Sequence, residues 1–384
     1  MMRNVIDLFA GAGGLSLGAA RAGFNVAAAV EIDKHAIATH KENFPHTIHI
    51  EKDIRLLSGK DLINAVGNDK PIVGIIGGPP CQGFSTIGHG NVLDERNGLF
   101  RQFFEKVAEI QPLFFVAENV PGIMREKYDS IREEAFSIVR DYIMLDPICV
   151  NASEYGAPTL RTRYFFVGYR SDSGIELNKE DFVSAKVPVC HRTKVSAALE
   201  GLPVHIPYEE NQTGIKHLEK QYSDRRRKHI QSDFFYEHTT ADIPLNVGNQ
   251  EFIKQYRNKH VTNGFLMTNH SAEVVKRYQD LPYGVKDQIS KSQKLDPDMF
   301  CPTLRAGTGP EKGSFQAVRP IHYDEPRVIN PREAARLQGF PDWFKLPPTI
   351  WHSFRQIGNS VSPIAAEAVL KVIYDHLPDD ECES

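Results

Sequence analysis

The chain has 384 residues, 41% hydrophobic and 24% charged, with a net charge of −4 at pH 7. That length suits two domains, or one large domain with an insertion, and the charge excludes a uniformly basic nucleic-acid coat. No apolar stretch reaches membrane-spanning length, no secretory leader is visible, and five scattered cysteines without a Cys-x-x-Cys pair exclude a disulfide framework and a structural zinc site, so the expectation is a cytoplasmic protein with free thiols and no metal.

Residues 4–9 read as a short buried strand that opens into glycine-rich sequence. Residues 14–23 carry apolar positions at helical spacing and stop at a glycine. A strand follows at 25–30, a helix at 34–43, and a short strand at 48–50 that leads to Asp53-Ile54. Residues 62–66 read as helix, 72–76 as a buried strand, and 97–110 as helix. A strand at 113–117 ends in Glu118-Asn119, a helix is expected over 129–142, and a last strand over 163–168. This β-α-β order predicts an α/β fold with a doubly wound, mostly parallel sheet.

After about Ser171 the pattern breaks. Polarity is mixed to about Asp324, and a basic run, Arg225-Arg226-Arg227-Lys228-His229, stands out. From 186 to 337 there are 23 Lys and Arg against 18 Asp and Glu, while the remainder has 22 against 31, so a basic segment sits inside an acidic body. Helical patterns return at 331–337 and 363–376.

Gly78-Pro79-Pro80-Cys81-Gln82 comes directly after the apolar run 72–76. Two prolines fix two φ angles and remove two donors, which makes a stiff corner with a thiol at its tip. Open α/β sheets place their chemistry at the carboxyl ends of strands. A lone cysteine is as readily an inert core residue, and these residues alone support both readings equally. Asp7-Leu8-Phe9-Ala10-Gly11-Ala12-Gly13-Gly14 joins the first strand to the first helix, where glycines let the backbone approach a ligand. Glu31 follows 20 residues after Gly11 at the end of the second strand, where a carboxylate suits a ribose diol, and Asp53-Ile54 closes the third. The three features point to an adenosine cofactor. A dinucleotide site would need glycine or alanine at Ser16, so S-adenosylmethionine fits better than a nicotinamide cofactor.

In their order and spacing these residues resemble the DNA (cytosine-5)-methyltransferases. The resemblance runs on through Glu118-Asn119-Val120, Arg161-Thr162-Arg163, Pro331-Arg332-Glu333-Ala334-Ala335-Arg336-Leu337-Gln338-Gly339-Phe340-Pro341 and Gln356-Ile357-Gly358-Asn359-Ser360-Val361. It implies Cys81 as the covalent nucleophile, Glu118 as the group at cytosine N3, Arg163 with Arg161 at O2 and the cysteine loop, and Asn119 in the same catalytic set. Thr159 stands where the family often has glutamine. The resemblance also implies a cofactor pocket of Phe9, Ala10, Gly11, Gly13, Gly14, Glu31, Ile32, Asp53, Ile54, Pro79, Leu99, Asn359 and Val361, with Gly358–Val361 folded against the first strand.

The implied partner is double-stranded DNA, with a cognate restriction endonuclease acting on the same site and a monomeric enzyme. Residues 83–98 resemble the family's mobile loop. DNA contacts are expected from Gln82, Ser85, Arg96, Arg225, Arg226, Arg227, Thr303, Leu304 and Arg305, with Lys228 beside them. The implied division is 1–185 for catalysis and cofactor, 186–345 for target recognition, and 346–384 completing the catalytic domain. Competing readings are an RNA cytosine-5 methyltransferase, a non-catalytic DNA-binding regulator, and a nicotinamide oxidoreductase.

Overall fold

The computed structural model describes residues 2–80, 98–205, 214–217, 230–241, 243–307 and 318–378. Cys81, Gln82, Ser85, Arg96, Arg225, Arg226, Arg227 and Lys228 lie outside the described residues.

Eight strands build one mixed sheet: β1 (Asn4–Leu8), β2 (Asn25–Val30), β3 (Ile48–Ile50), β4 (Ile72–Gly77), β5 (Phe114–Asn119), β6 (Tyr142–Met144), β7 (Ile148–Asn151) and β8 (Thr162–Arg170). Their order is β3-β2-β1-β4-β5-β8-β6, with β7 also paired to β8. The first five pair in parallel. β8 runs antiparallel to β5, and its two halves pair with β6 and β7. Helices α1 (Gly14–Ala22), α2 (Lys34–Asn43), α3 (Gly59–Val66), α4 (Gly98–Ile110) and α5 (Asp129–Phe136) connect the strands.

Both faces of this sheet are covered, so its strands are apolar throughout rather than alternating. Val5, Phe114, Val116, Phe165 and Val167 enter one core, and Ile6, Leu8, Phe115, Ala117 and Phe166 enter the other. The second core is aromatic: Phe100, Phe103 and Phe104 of α4 meet Phe115, Phe136 and Phe166 edge-on or tilted.

The expected helix over 129–142 is shorter than its pattern. It ends at Phe136, passes through a 3-10 turn at Ser137–Val139, and gives way to β6. Tyr142 is claimed by the sheet edge, where its hydroxyl donates to Pro112 O at 2.7 Å. β7 and the helix Ile350–Asn359 went unread because each is short or polar on its outer side.

The helix Pro363–Asp375 closes the first core by packing on α1. A Cβ on Gly18 would run into Ala366 Cβ and lie 2.7 Å from Glu367 N, so only glycine permits this approach. Gly18→Ala should lower unfolding stability by about 1–3 kcal/mol in a urea titration, because the overpacking exceeds the roughly 1 kcal/mol that alanine gains in a helix. An unchanged midpoint would contradict that packing.

The helix Pro331–Gln338 is buried along its whole length although its sequence is polar. Each charge is matched. Arg332 donates to Asn263 O, Pro341 O and Phe344 O, Glu333 accepts from Arg327, and Arg336 pairs with Asp342 and reaches Ala198 O and Glu200 O.

Candidate active site

The turn between β1 and α1 is held in an unusual backbone state. Phe9, Gly11 and Gly13 all have positive φ, at 67°, 57° and 101°. A bulky residue such as Phe9 adopts that region only where its surroundings impose it, and such positions cluster at ligand sites. Ala10 N–H donates to Val30 O and Gly13 N–H to Ala10 O, each at 3.0 Å, which pins the turn to the end of β2. Glu31 fastens it from the other side, accepting Gly11 N–H on Oε2 and Asp33 N–H on Oε1, both at 2.8 Å. Burial raises the Glu31 carboxyl above its usual range, against these backbone bonds.

Space remains over Gly11, where an added Cβ would meet nothing within 4 Å. Ile32 and Leu56 are exposed apolar side chains next to Glu31 and Asp53-Ile54. Phe9 and Leu99 are half-buried against the second core, and Ile54 is buried. An open glycine turn that begins at Phe9, with the Glu31 carboxylate and the adjoining Ile32 at its edge, fits an adenosine with its ribose. Asp53 is already engaged: Arg55 Nε reaches both of its oxygens and Nη2 donates to Oδ2, and that hydrogen bonding holds the carboxyl below its usual range.

The corner after β4 lies beside the end of β5. Gly77 pairs with Ala117, so Gly78 runs next to Glu118. A Cβ on Gly78 would sit 3.2 Å from Glu118 Oε2. Asn119 Nδ2 donates to Pro79 O at 3.3 Å, while Asn119 Oδ1 accepts Val120 N–H at 2.9 Å. The prolines stiffen the corner, and Asn119 ties its buried first proline to β5. Glu118 is 8% exposed. Arg163 Nε, one strand over on β8, is 2.8 Å from Glu118 Oε1, yet that oxygen makes no aligned hydrogen bond. The contact is therefore an ion pair that leaves Oε1 with unused accepting capacity. Burial pushes the Glu118 carboxyl up, opposed by the charges of Arg163 and Arg161.

Arg161 is 2% exposed, and its guanidinium is spent on backbone: Nη1 donates to Leu304 O at 3.2 Å and Nη2 to Asn359 O at 3.4 Å. Thr303 Oγ1 donates to Leu160 O at 2.8 Å. A Cβ on Gly358 would come within 2.5 Å of Arg305 C and Ala306 N. The residues before β8, the 301–306 segment and the end of the Ile350–Asn359 helix are thus sewn together beside the corner. Leu304, expected at DNA, has its side chain buried in the first core, whereas Arg305 is exposed. The apolar side chain is worth more in that core than against a wet duplex. The Gly358–Val361 segment, expected against the first strand, instead meets the first helix: a Cβ on Gly14 would run into Ser360 Oγ and come within 2.5 Å of Val361 O. Asn359 is exposed and Val361 is buried there.

Sequence reasoning missed Arg55, Leu56, Ser16 and His40. Ser16 entered only as an absent glycine, yet its Oγ donates to the buried Asp7 at 2.5 Å and lies 3.0 Å from His40 Nε2. Nothing in the local pattern links positions 7, 16 and 40. Only the packing of α1 and α2 on β1 brings them together.

A family model described as "C-5 cytosine-specific DNA methylase" matches residues 3–375. The chain is 36% identical over 373 residues to the type II methyltransferase M.XorII of Xanthomonas oryzae pv. oryzae, covering 95% of this chain and 82% of that protein. It is 33% identical over 389 residues to the type II methyltransferase M.DdeI of Desulfomicrobium norvegicum, covering 96% and 88%. An E. coli prophage-encoded protein described as a candidate DNA modification methyltransferase has a similar crystal structure, with a TM-score of 0.85, 50% identity, and 98% and 99% of the two chains covered.

Proposed function

Because the chain belongs to the C-5 cytosine-specific DNA methylase family and is a DNA (cytosine-5) methyltransferase of the type II restriction–modification class, we propose that it methylates C5 of a cytosine flipped out of a specific double-stranded sequence, using S-adenosylmethionine and a covalent bond between Cys81 and C6. The observation that carries this reading is the buried Glu118 beside Gly78, at the start of the Gly-Pro-Pro corner that precedes Cys81 in the chain.

Cytosine C5 is a poor nucleophile on its own. Addition of the Cys81 thiolate to C6 forms the S–C6 bond and sends the displaced electron pair toward N3 and O2. Glu118, with a raised pKa, delivers a proton at N3. Arg163 supplies positive charge beside Glu118 and O2, and Arg161 and Asn119 hold the surrounding backbone. C5 then gains the methyl group and gives up its proton to a water molecule, and the C6–S bond breaks to return the thiolate as N3 hands its proton back to Glu118. S-adenosylmethionine, when bound, supplies the electrophilic methyl group. Phe9, Gly11, Glu31, Ile32, Asp53 and Ile54 are the residues that would hold it, with the buried Val361 and the exposed Asn359 at the side of the turn.

Extruding the target base costs a few kcal/mol, which phosphate and base contacts must repay. We assign that work to residues 186–345, with Thr303 and Arg305 beside the corner, and we assign the chemistry to 1–185 together with 346–384. The enzyme would act as a cytoplasmic monomer, with an endonuclease of the same specificity as its functional partner. Among the described residues no helix is long and apolar enough to cross a membrane.

The decisive experiment is methylation of a random-sequence plasmid with the donor present, read by bisulfite sequencing. Protection of cytosines in one short context is expected. A plasmid left unmethylated by protein that binds the donor, or methylation of tRNA in preference to duplex, would overturn the assignment.

A further inference from the structure

A line of polar groups runs from beneath the donor turn toward the edge of the sheet. Asp7 on β1 is fully buried, and its Oδ2 accepts Ser16 Oγ–H at 2.5 Å. His40 Nε2 on α2 lies 3.0 Å from the same Oγ, and His40 Nδ1 lies 2.8 Å from His49 Nε2 on β3. The His40 ring stacks on Phe44 with centroids 4.2 Å apart. That pair is the floor of the turn, because a Cβ on Gly13 would run into the Phe44 ring and lie 3.1 Å from His40 Cδ2.

Each hydroxyl and ring nitrogen can donate or accept, so the line has two consistent arrangements. In one, His49 Nε2–H donates to His40 Nδ1, His40 Nε2–H donates to Ser16, and Ser16 donates to an ionised Asp7. In the other, the Asp7 carboxyl is protonated and donates to Ser16, Ser16 to His40 Nε2, and His40 Nδ1–H to His49 Nε2. The second holds one proton more than the first, and both imidazoles are neutral in each.

We propose that this line is a proton-linked positioning device for the donor turn, in which one proton entering at His49 is stored on Asp7, reverses every hydrogen bond in the line, and removes the buried negative charge beside the turn. The inference rests on reading that turn as the donor site.

The surroundings agree. Burial lifts the Asp7 carboxyl to about 7, with Ser16 opposing and Glu31 adding to the rise. Its Oδ1 has no hydrogen-bond partner among the described residues, which disfavours the ionised form. Burial lowers His40, with His49 adding to the effect, and burial with Lys41 lowers His49 to about 4. The histidines therefore relay the proton rather than keep it. The Thr47 backbone favours a proton on His49, and Lys41 is paired with Glu51 at 3.8 Å. The charged or titratable groups around the line are thus Glu31, His49, Lys41 and Glu51.

An ionised Asp7 favours the cationic donor over its uncharged sulfide by-product. By reciprocity, donor binding favours loss of the proton. Calorimetry from pH 8 to 6 should show donor affinity falling by up to about tenfold while by-product affinity changes less than about twofold. Ser16→Ala, checked for folding by circular dichroism, should flatten the donor profile, and His49→Gln should shift its midpoint. Equal profiles for donor and by-product, or a native profile in Ser16→Ala, would overturn the proposal. Nitrogen-15 shifts of His40 and His49 in the unliganded protein provide a readout free of the donor. A neutral tautomer exchange with a midpoint near 7 is expected, and imidazolium signals there, or no change, would overturn it. If the donor binds at no pH, the donor reading of the turn fails, and the nitrogen shifts still decide the relay.

Discussion

Cys81→Ser is expected to abolish methyl transfer, on the order of a 10⁵-fold loss or more, while donor affinity stays within about twofold. The hydroxyl has nearly the shape of the thiol but not its nucleophilicity, since an alcohol is scarcely ionised where a thiol with pKa of about 8.5 already is in part. The corner itself should survive. Its geometry comes from Pro79 and Pro80 and from the Asn119 Nδ2 bond to Pro79 O, none of which involves the thiol. Two measurements separate cause from collapse: donor binding by calorimetry, and trapping of a covalent complex with duplex DNA carrying 5-fluorocytosine. Native protein should form a denaturant-resistant complex and the serine variant none. Retained turnover in the variant would remove the covalent mechanism.

Glu118→Gln should lower kcat by about 10²–10⁴-fold with little change in donor affinity. Glutamine fills the same space and can still accept a hydrogen bond at the corner, but it has no acidic proton to deliver at N3. The native kcat/KM should fall on the alkaline side as Glu118 loses its proton, a limb that the raised pKa moves toward neutrality. Arg163→Gln should move that limb to higher pH, because the cation that opposes protonation of Glu118 is gone. A Glu118→Gln enzyme within tenfold of native, or a limb that does not respond to residue 163, would take Glu118 out of the chemistry.

The backbone of the candidate site was legible because its segments sit at strand ends, where short motifs carry their own geometry. A glycine turn, a carboxylate after the second strand and a proline corner each announce a local backbone state. The β-α-β order gave the parallel half of the sheet for the same reason. What stayed hidden depends on distant partners. The helical pattern at 331–337 carries no sign of burial in its polar sequence, and the Pro331–Gln338 helix is buried because carbonyls at 198, 200, 263, 341 and 344 and the acid of Asp342 receive its arginines. Leu304, expected beside the DNA, is core. The antiparallel edge β6-β8-β7 is built from strands of three or four residues against one long strand, too short for a periodic signal.

The glycine face of α1 has a consequence in time. Its cover is the helix Pro363–Asp375, about 340 residues further along the chain. At bacterial and eukaryotic elongation rates of roughly 5–20 residues per second, α1 waits about 20–70 s on the ribosome for its partner. Throughout that interval the α1 side of the nascent sheet lacks its outer cover, and the turn between β1 and α1 lacks Ser360 and Val361 behind Gly14.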